Sequence, residues 1–360
     1  MNYQLFFPKS YAHNRTFSNT IRFCCIVGVI QLLVFITALL TQTPVHAQAS
    51  GQSGSGVSIY IPAVKNQSIE HVTPQVEWTF HKSTDSLHPD GNEQQLLWLT
   101  NRARANPTQE GIWLATSDDK EFAGDRDFFG VNKALLQEEF ASYPAMPPAA
   151  FDIRLYNAAK AHCDDLIGRD AQDHNNQFER VRAAGFSMGR ARGSIFSYAK
   201  SPLNTHAAWN IDWGPGADGM QSGRGHRMGI MALDGNYTNA GIAVVAEDNP
   251  NTQVGPYVAT ANYAEAADKP DHYNQFIVGT VWNDDNGNQQ YDPGEGVGGV
   301  TVRPASGGFY AVTAESGGYA IPVEENGEYM VTFSRAGSSN IVHTITVQDG
   351  SVLLDVEEWQ

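Results

Sequence analysis

Residues Ser222 to Met231 read SGRGHRMGIM, one histidine set between glycines and arginines just ahead of an apolar run. This stretch divides the pattern of the chain. Upstream, apolar residues recur at helical spacing; downstream, they come in short runs of Val, Ala, Thr and Tyr that read as strands. The first upstream segment, NEQQLLWLTNRARANP (Asn92–Pro107), puts Leu96, Leu99 and Ala103 on one face and stops at Asn106-Pro107. A second helix is predicted to begin with Asp152 as N-cap, to carry Leu155, Ala158, Ala159, His162 and Leu166 as its stripe, and to end at Gly168. The segment FERVRAAGF is a short third helix. SPLNTHAAWNIDWG opens a fourth, with Ser201 at the N-cap and Pro202 at the first helical position. Beyond His226, AGIAVVAE (Ala240–Glu247) and GPYVATANYA (Gly255–Ala264) read as strands. Helices followed by strands predict an α+β domain over residues 91–265.

After a polar linker at 266–275 the texture changes. Residues 276–360 hold short runs such as FIVGTVW, GVTVRP, GFYAVTA, GYAIPV, EYMVTFS, HTITV and SVLLDV, separated by Gly, Asn and Asp. That regular spacing predicts an all-β sandwich. Its only basic residues are Arg303 and Arg335, and its net charge is −10.

A chain of 360 residues with 41% hydrophobic and 11% aromatic residues has room for two such cores. Residues 1–47 read as a signal peptide: a polar start ending at Arg22, the apolar run Phe23–Leu40, and small residues in VHA, Val45–Ala47. The run is also long enough to span a bilayer, so an anchor formed by residues 23–40 is the alternative. Residues 48–90 then read as a Gly/Ser linker and N-terminal extension, in which VSIYIPAV alternates like a strand. Removing 1–47 takes away Lys9, Arg15 and Arg22 and shifts the net charge from −16 to −19. Such a surface argues against nucleic acid as a partner, and leaves the N-terminal segment as the route to a membrane. With Cys24 and Cys25 gone, Cys163 is alone, so no internal disulfide is expected.

Taken in order, LLWLTNRARANP, LYNAAKAHCDDL, a following His, RVRAAGF, SGRGHRMGIM, NAGIAVV and YVATANYA resemble the bacterial branch of the CAP superfamily, also called SCP domains. The resemblance implies an α–β–α sandwich and a secreted, extracellular protein. It also implies a central cleft with two histidines and two acids. Here the histidines are His174 and His226, and Asp212 keeps one acid, three residues after Trp209 in WNID. The other acid belongs to a Gly-Glu-Asn-Ile motif, and RGSIF has Gly193 and Ser194 in its place, so that carboxylate is missing. Two imidazoles and a carboxylate form a zinc-type set, which also suits copper or nickel. The bland reading is that they are hydrogen-bonded cleft residues that organise loops. His206 is a candidate substitute for the missing acid, His162 and Cys163 read as core, and Arg227 reads as a local pairing partner.

The second domain carries a sharper signal. In DDNGNQQYDPGE (Asp284–Glu295), counting Asp284 as position 1 places Asn286, Asn288, Gln290, Asp292 and Glu295 at the calcium-ligand positions of an EF-hand loop. Gln289 stands where Gly is usual and would need a positive φ. The stretch GTVWNDDNGNQQYDPGEGVGGVTV, with SGGYAIPV and GEYMVTFS after it, resembles a serine-aspartate adhesin B-type domain. That likeness implies a prealbumin-like, calcium-binding spacer.

No Gly-x-Ser-x-Gly elbow, His-Glu-x-x-His helix or phosphate loop is present. The preferred reading is therefore an extracellular ligand-binding or surface-interaction protein, its ligand a lipid, a sterol or a cell-surface component. The alternatives are a metal-dependent, protease-like hydrolase using His174, Asp212 and His226, and a purely structural surface protein.

Overall fold

Capping side chains set most of the helix starts. Helix α1 (Gly91–Ala105) begins where the Asp90 side chain accepts from Glu93 N while the Glu93 carboxylate accepts from Asp90 N. Asn106 ends α1, and its side chain accepts from Gln109 N to open α2 (Pro107–Thr116). Next come α3 (Ala123–Phe128) and α4 (Lys133–Ala141), the latter capped by Asn132. Asp152 caps α5 (Ile153–Arg169). This helix runs through Gly168, its expected stop, and ends at Asp170 in the left-handed region with φ 50°. Then follow α6 (Gln177–Ala183) and α7 (Pro202–Ala207), the latter capped by Ser201. A π-helical turn, Ala208–Asp212, extends α7, and α8 (Gly225–Ile230) contains His226. These elements belong to residues 73–359, the part that the computed structural model describes. The predicted signal segment, the Gly/Ser linker and VSIYIPAV lie outside the described residues.

The strands are β1 (Val76–Glu77), β2 (Ala150–Phe151), β3 (Met188–Ala199), β4 (Asn239–Ala246) and β5 (Tyr257–Ala266). One sheet has the order β2-β4-β5-β3, antiparallel except for the short parallel pairing of β2. Alternation along β5 shows what covers each face. Asn262 points to α5 and α6, donating to Leu155 O and accepting from Gln177 Nε2. Tyr263 points to the other side, under the Arg104 guanidinium of α1 and against Gly229 of α8. Helices thus cover both faces of an antiparallel sheet. Gly241 lets α5 lie directly on β4, because a Cβ there would fall 2.1 Å from the backbone of Leu155.

The remaining strands are β6 (Phe276–Trp282), β7 (Thr301–Pro304), β8 (Phe309–Val312), β9 (Gly318–Pro322), β10 (Gly327–Ser334), β11 (Ile341–Val347), β12 (Val352–Leu353) and β13 (Val356–Glu357). They form a five-stranded sheet, β1-β8-β7-β10-β11, and a second sheet in which β6 pairs with β9, β12 and β13. Ile277, Val281, Val302, Ile321, Val331 and Phe333 from the two sheets share one buried core.

The two halves are not strung on free linkers. The described part of the N-terminal extension contributes β1, whose Val76 and Glu77 pair in parallel with Phe309 and Tyr310 of the sandwich. The chain then crosses to α1, whose Trp98 and Leu99 cluster with Trp282 and Tyr291 of the sandwich. Gln94 Nε2 donates to Thr280 Oγ1 at 2.8 Å, Gln95 Nε2 to Asp292 Oδ1 at 2.8 Å, and Trp98 meets Trp282 with ring centroids 5.8 Å apart. The polar stretch at 266–275 is pinned as well: Asn274 bonds both backbone groups of Ala266, and Asn239 reaches Tyr273 O. A polar sequence signals exposure only when no second polar surface waits to pair with it.

Candidate functional site

Asp212 ends the π-helical turn in a left-handed conformation, φ 55°, and is wholly buried. Its Oδ1 accepts from His226 Nδ1 at 2.8 Å and its Oδ2 from His226 N at 3.1 Å. A carboxylate only accepts, so Nδ1 carries a proton, and in the neutral ring Nε2 is then the nitrogen with the lone pair. Among the described residues Nε2 has no partner, and the His226 side chain retains 23% of its exposure. Asp212 therefore does two jobs: it satisfies a backbone donor at the start of α8 and it fixes the tautomer of His226.

Two buried arginines hold this arrangement. Arg227 forms an ion pair with Glu139 and donates to Asn210 O at 2.5 Å and Ile211 O at 2.8 Å, both carbonyls of the π-helical turn. Arg227 was expected to pair locally; its ion-pair partner is instead Glu139, 88 residues away. Arg104 donates to Ile230 O at 2.7 Å and Tyr237 O at 2.8 Å, bracing the C-terminal end of α8. Partial burial works against ionisation of Glu139, but Arg224 and Arg227 outweigh it and hold its carboxyl below the ordinary value. Arg224 and Met228, two residues either side of His226, line an open groove of about 890 Å³ with Asn132, Glu139, Tyr143 and Met220.

His174 is exposed and tied by Nδ1 to Gln177 Oε1 at 2.7 Å. Gln177 is buried and anchors in turn to Ala261 O and Asn262 Oδ1. Its amide fills the space beside Gly193, where an added Cβ would come within 2.6 Å of it. This tether was missed in the sequence, although Gln177 sits only three residues after His174. Ser194, at the position of the missing acid, is buried, and its Oγ has no partner among the described residues. His206 does not replace that acid. It is fully buried and bonds Glu110 Oε1 at 2.8 Å. His162 and Cys163 are core, as read. Nε2 of His162 donates to Asp173 O, and burial pushes the Cys163 thiol up to about 12.

His174, Asp212 and His226 do not form a three-ligand cluster. Among the described residues, the group of three whose ligand atoms all lie within 4.8 Å of one another is His88, Asp90 and Glu93. Those atoms are already committed. Asp90 and Glu93 cap α1 reciprocally, and His88 Nδ1 contacts both Glu93 Oε2 and the Tyr156 hydroxyl at 2.8 Å. A helix N-terminus also disfavours a cation. The Asp-x-x-Glu spacing was the available sequence signal for this cap.

In the 284–295 loop, Gln289 has φ 60°, the backbone state that its position requires. The Asp284 carboxylate accepts from the backbone N of Gly287, Asn288 and Gln289. Asn286 and Asn288 both donate to Asp292 Oδ2, and Glu295 accepts from Asp285 N and Asp292 N. Burial, followed by repulsion from Asp292 and Asp284, raises the Glu295 carboxyl above its ordinary value. The loop also touches α1, where Arg102 reaches Gln290 Oε1 at 2.9 Å. These oxygens suit a hard cation, which would relieve the crowding at Glu295.

No family profile matches the chain, and no curated protein matches it. Among solved structures, it is similar to an extracellular protein containing a SCP domain from Bacillus anthracis str. Ames, with 15% identity and a TM-score of 0.26. The match covers 41% of this chain and 44% of that one, so the chain spans less than half the length of the structure it matches.

Proposed function

We propose that this is an extracellular CAP-type protein that binds a ligand in the groove lined by Arg224 and by Met228 of α8, with a calcium-holding β-sandwich fixed to it. The observation that carries the reading is the open groove of about 890 Å³ itself, lined from the helix whose start the Asp212–His226 pair holds in place. Glu139, Asp218 and Arg224 line the groove beside Tyr143, Met220 and Met228. That mixture favours a polar cell-surface component, a peptide or a glycan, over a bare sterol or lipid. Asp284, Asn286, Asn288, Asp292 and Glu295, with the carbonyl of Gln290, would hold the calcium, which would supply fixed positive charge and rigidity to the loop. The same Asp–His pair suits a general base or a zinc ligand, which keeps the metal-dependent hydrolase as the second reading.

The test is a binding screen of the purified protein on peptide and glycan arrays and on sterol-containing vesicles, run beside Met228→Arg. Binding to a polar class, weakened at least tenfold by Met228→Arg and unaccompanied by hydrolysis with or without zinc, supports the proposal. Binding that ignores Met228→Arg removes the groove. Zinc-dependent peptide hydrolysis that is lost in His226→Ala installs the hydrolase instead.

A further inference from the structure

Sheet edges offer unpaired backbone groups, and folded proteins blunt them with short strands, proline, charge or bulges. Nearly every edge among the described residues is blunted in this way. β1, β2, β12 and β13 have two residues each, and β9 is buried and ends in Pro322. β3 is long, but it carries Arg190 and Arg192 and has two register shifts against β5. β11 is different. It is a seven-residue edge strand, IVHTITV, with no charge and no proline, and its register against β10 is unbroken from Ile341 to Val347. Val342 on β11 and Met330 on the neighbouring β10 are both more than half exposed.

We propose that β11 is a self-association edge, where two copies of this chain pair antiparallel about a two-fold axis through Thr344. Antiparallel pairing of identical strands sets Thr344 opposite Thr344, Val342 opposite Thr346 and Ile341 opposite Val347. No like charges then face each other, and the β-branched pairs are favourable. Charge selects a second copy as the occupant. Exposed Arg335 sits in the turn before β11, and exposed Asp349 follows the strand. An antiparallel pair brings Arg335 of each copy to the Asp349 end of the other. Arg335 is one of only two basic residues over 276–360, so this complementarity falls where an acidic protein otherwise repels itself. One strand pair buries little area, so the association is weak and is best read by covalent trapping.

The experiment is oxidative cross-linking of the full chain carrying Thr344→Cys. Facing Cα atoms in an antiparallel pair are about 4.5–5.5 Å apart, within disulfide reach. A concentration-dependent dimer band on a non-reducing gel is expected, above the background of wild type and of Tyr198→Cys, an exposed position on the β3 edge. Adding Val342→Asp should abolish the band while leaving the thermal midpoint unchanged, because it sets an acid near Glu328 and Asp349 of the other copy. A band no stronger than that of Tyr198→Cys overturns the proposal, and so does one that survives Val342→Asp. Thr344→Cys that neither dimerises nor reacts with a maleimide also overturns it, by showing the edge covered within its own chain.

Discussion

At the scale of single residues, buried polar groups are the most informative feature of the helical half. Glu110 is 3% exposed, and its carboxylate receives Arg102 on both oxygens and His206 on Oε1. Burial alone would raise its carboxyl, but Arg102 and His206 outweigh that and hold it down to about 2, against an ordinary 4.5. A depressed carboxyl stabilises the fold fully above the unfolded value and loses that contribution as pH falls through the folded one. The window is therefore pH 4.5 down to about 2, with about 3 kcal/mol at stake by linkage. We expect Glu110→Gln to lower stability at pH 7 and to flatten the acid limb of a urea-unfolding series. An acid limb identical to that of wild type would show that other carboxylates carry it.

At the scale of elements, α1 is where sequence and structure part most clearly. Its spacing showed one apolar face through Leu96, Leu99 and Ala103; all three are buried, but Leu96 and Ala103 lie in the helical core while Leu99 packs with Trp282 and Tyr291 of the sandwich. Nothing local revealed that Gln94 and Gln95 are also buried, because their partners Thr280 and Asp292 lie about two hundred residues away. β3 escaped for a related reason: Gly189, Arg190, Arg192 and Gly193 break any apolar alternation, and pairing with β5 makes the strand. In contrast, α5, α7, β4, β5 and the main sandwich strands were legible from caps and periodicity alone. At the site, WNID located Asp212, but the spacing could not say that both of its oxygens would serve His226. Because α1 is shared, its loss should be felt by both halves. We expect Trp98→Ala to cost about 3–5 kcal/mol and to split one unfolding transition into two by calorimetry. A single transition at a lowered midpoint would mean that β1 and the remaining contacts suffice to hold the halves together.

At the scale of the whole molecule, the acidic sandwich and the helical half meet at the 284–295 loop, through Gln95 and Arg102. Calcium at a hundredfold excess over its dissociation constant should add about 2.7 kcal/mol, visible as a raised thermal midpoint against chelator. Glu295 has a raised carboxyl, so its favourable contribution is complete below the unfolded value and fades as pH rises through the folded one. Without calcium at pH 7, Glu295→Gln should then be no less stable than wild type, while its response to calcium disappears. An equal calcium shift in both proteins would remove the loop as the site. All of this scaffolding, from the arginine braces of α8 to the sandwich behind α1, holds one imidazole in a fixed orientation at the start of α8. The direct measurement of that claim is a long-range ¹H–¹⁵N spectrum of His226 at alkaline pH, in wild type and in Asp212→Asn. The account requires a proton on Nδ1 and a free Nε2 in wild type, with that preference weakened in Asp212→Asn. A wild-type ring protonated on Nε2, or one unchanged by Asp212→Asn, would contradict it.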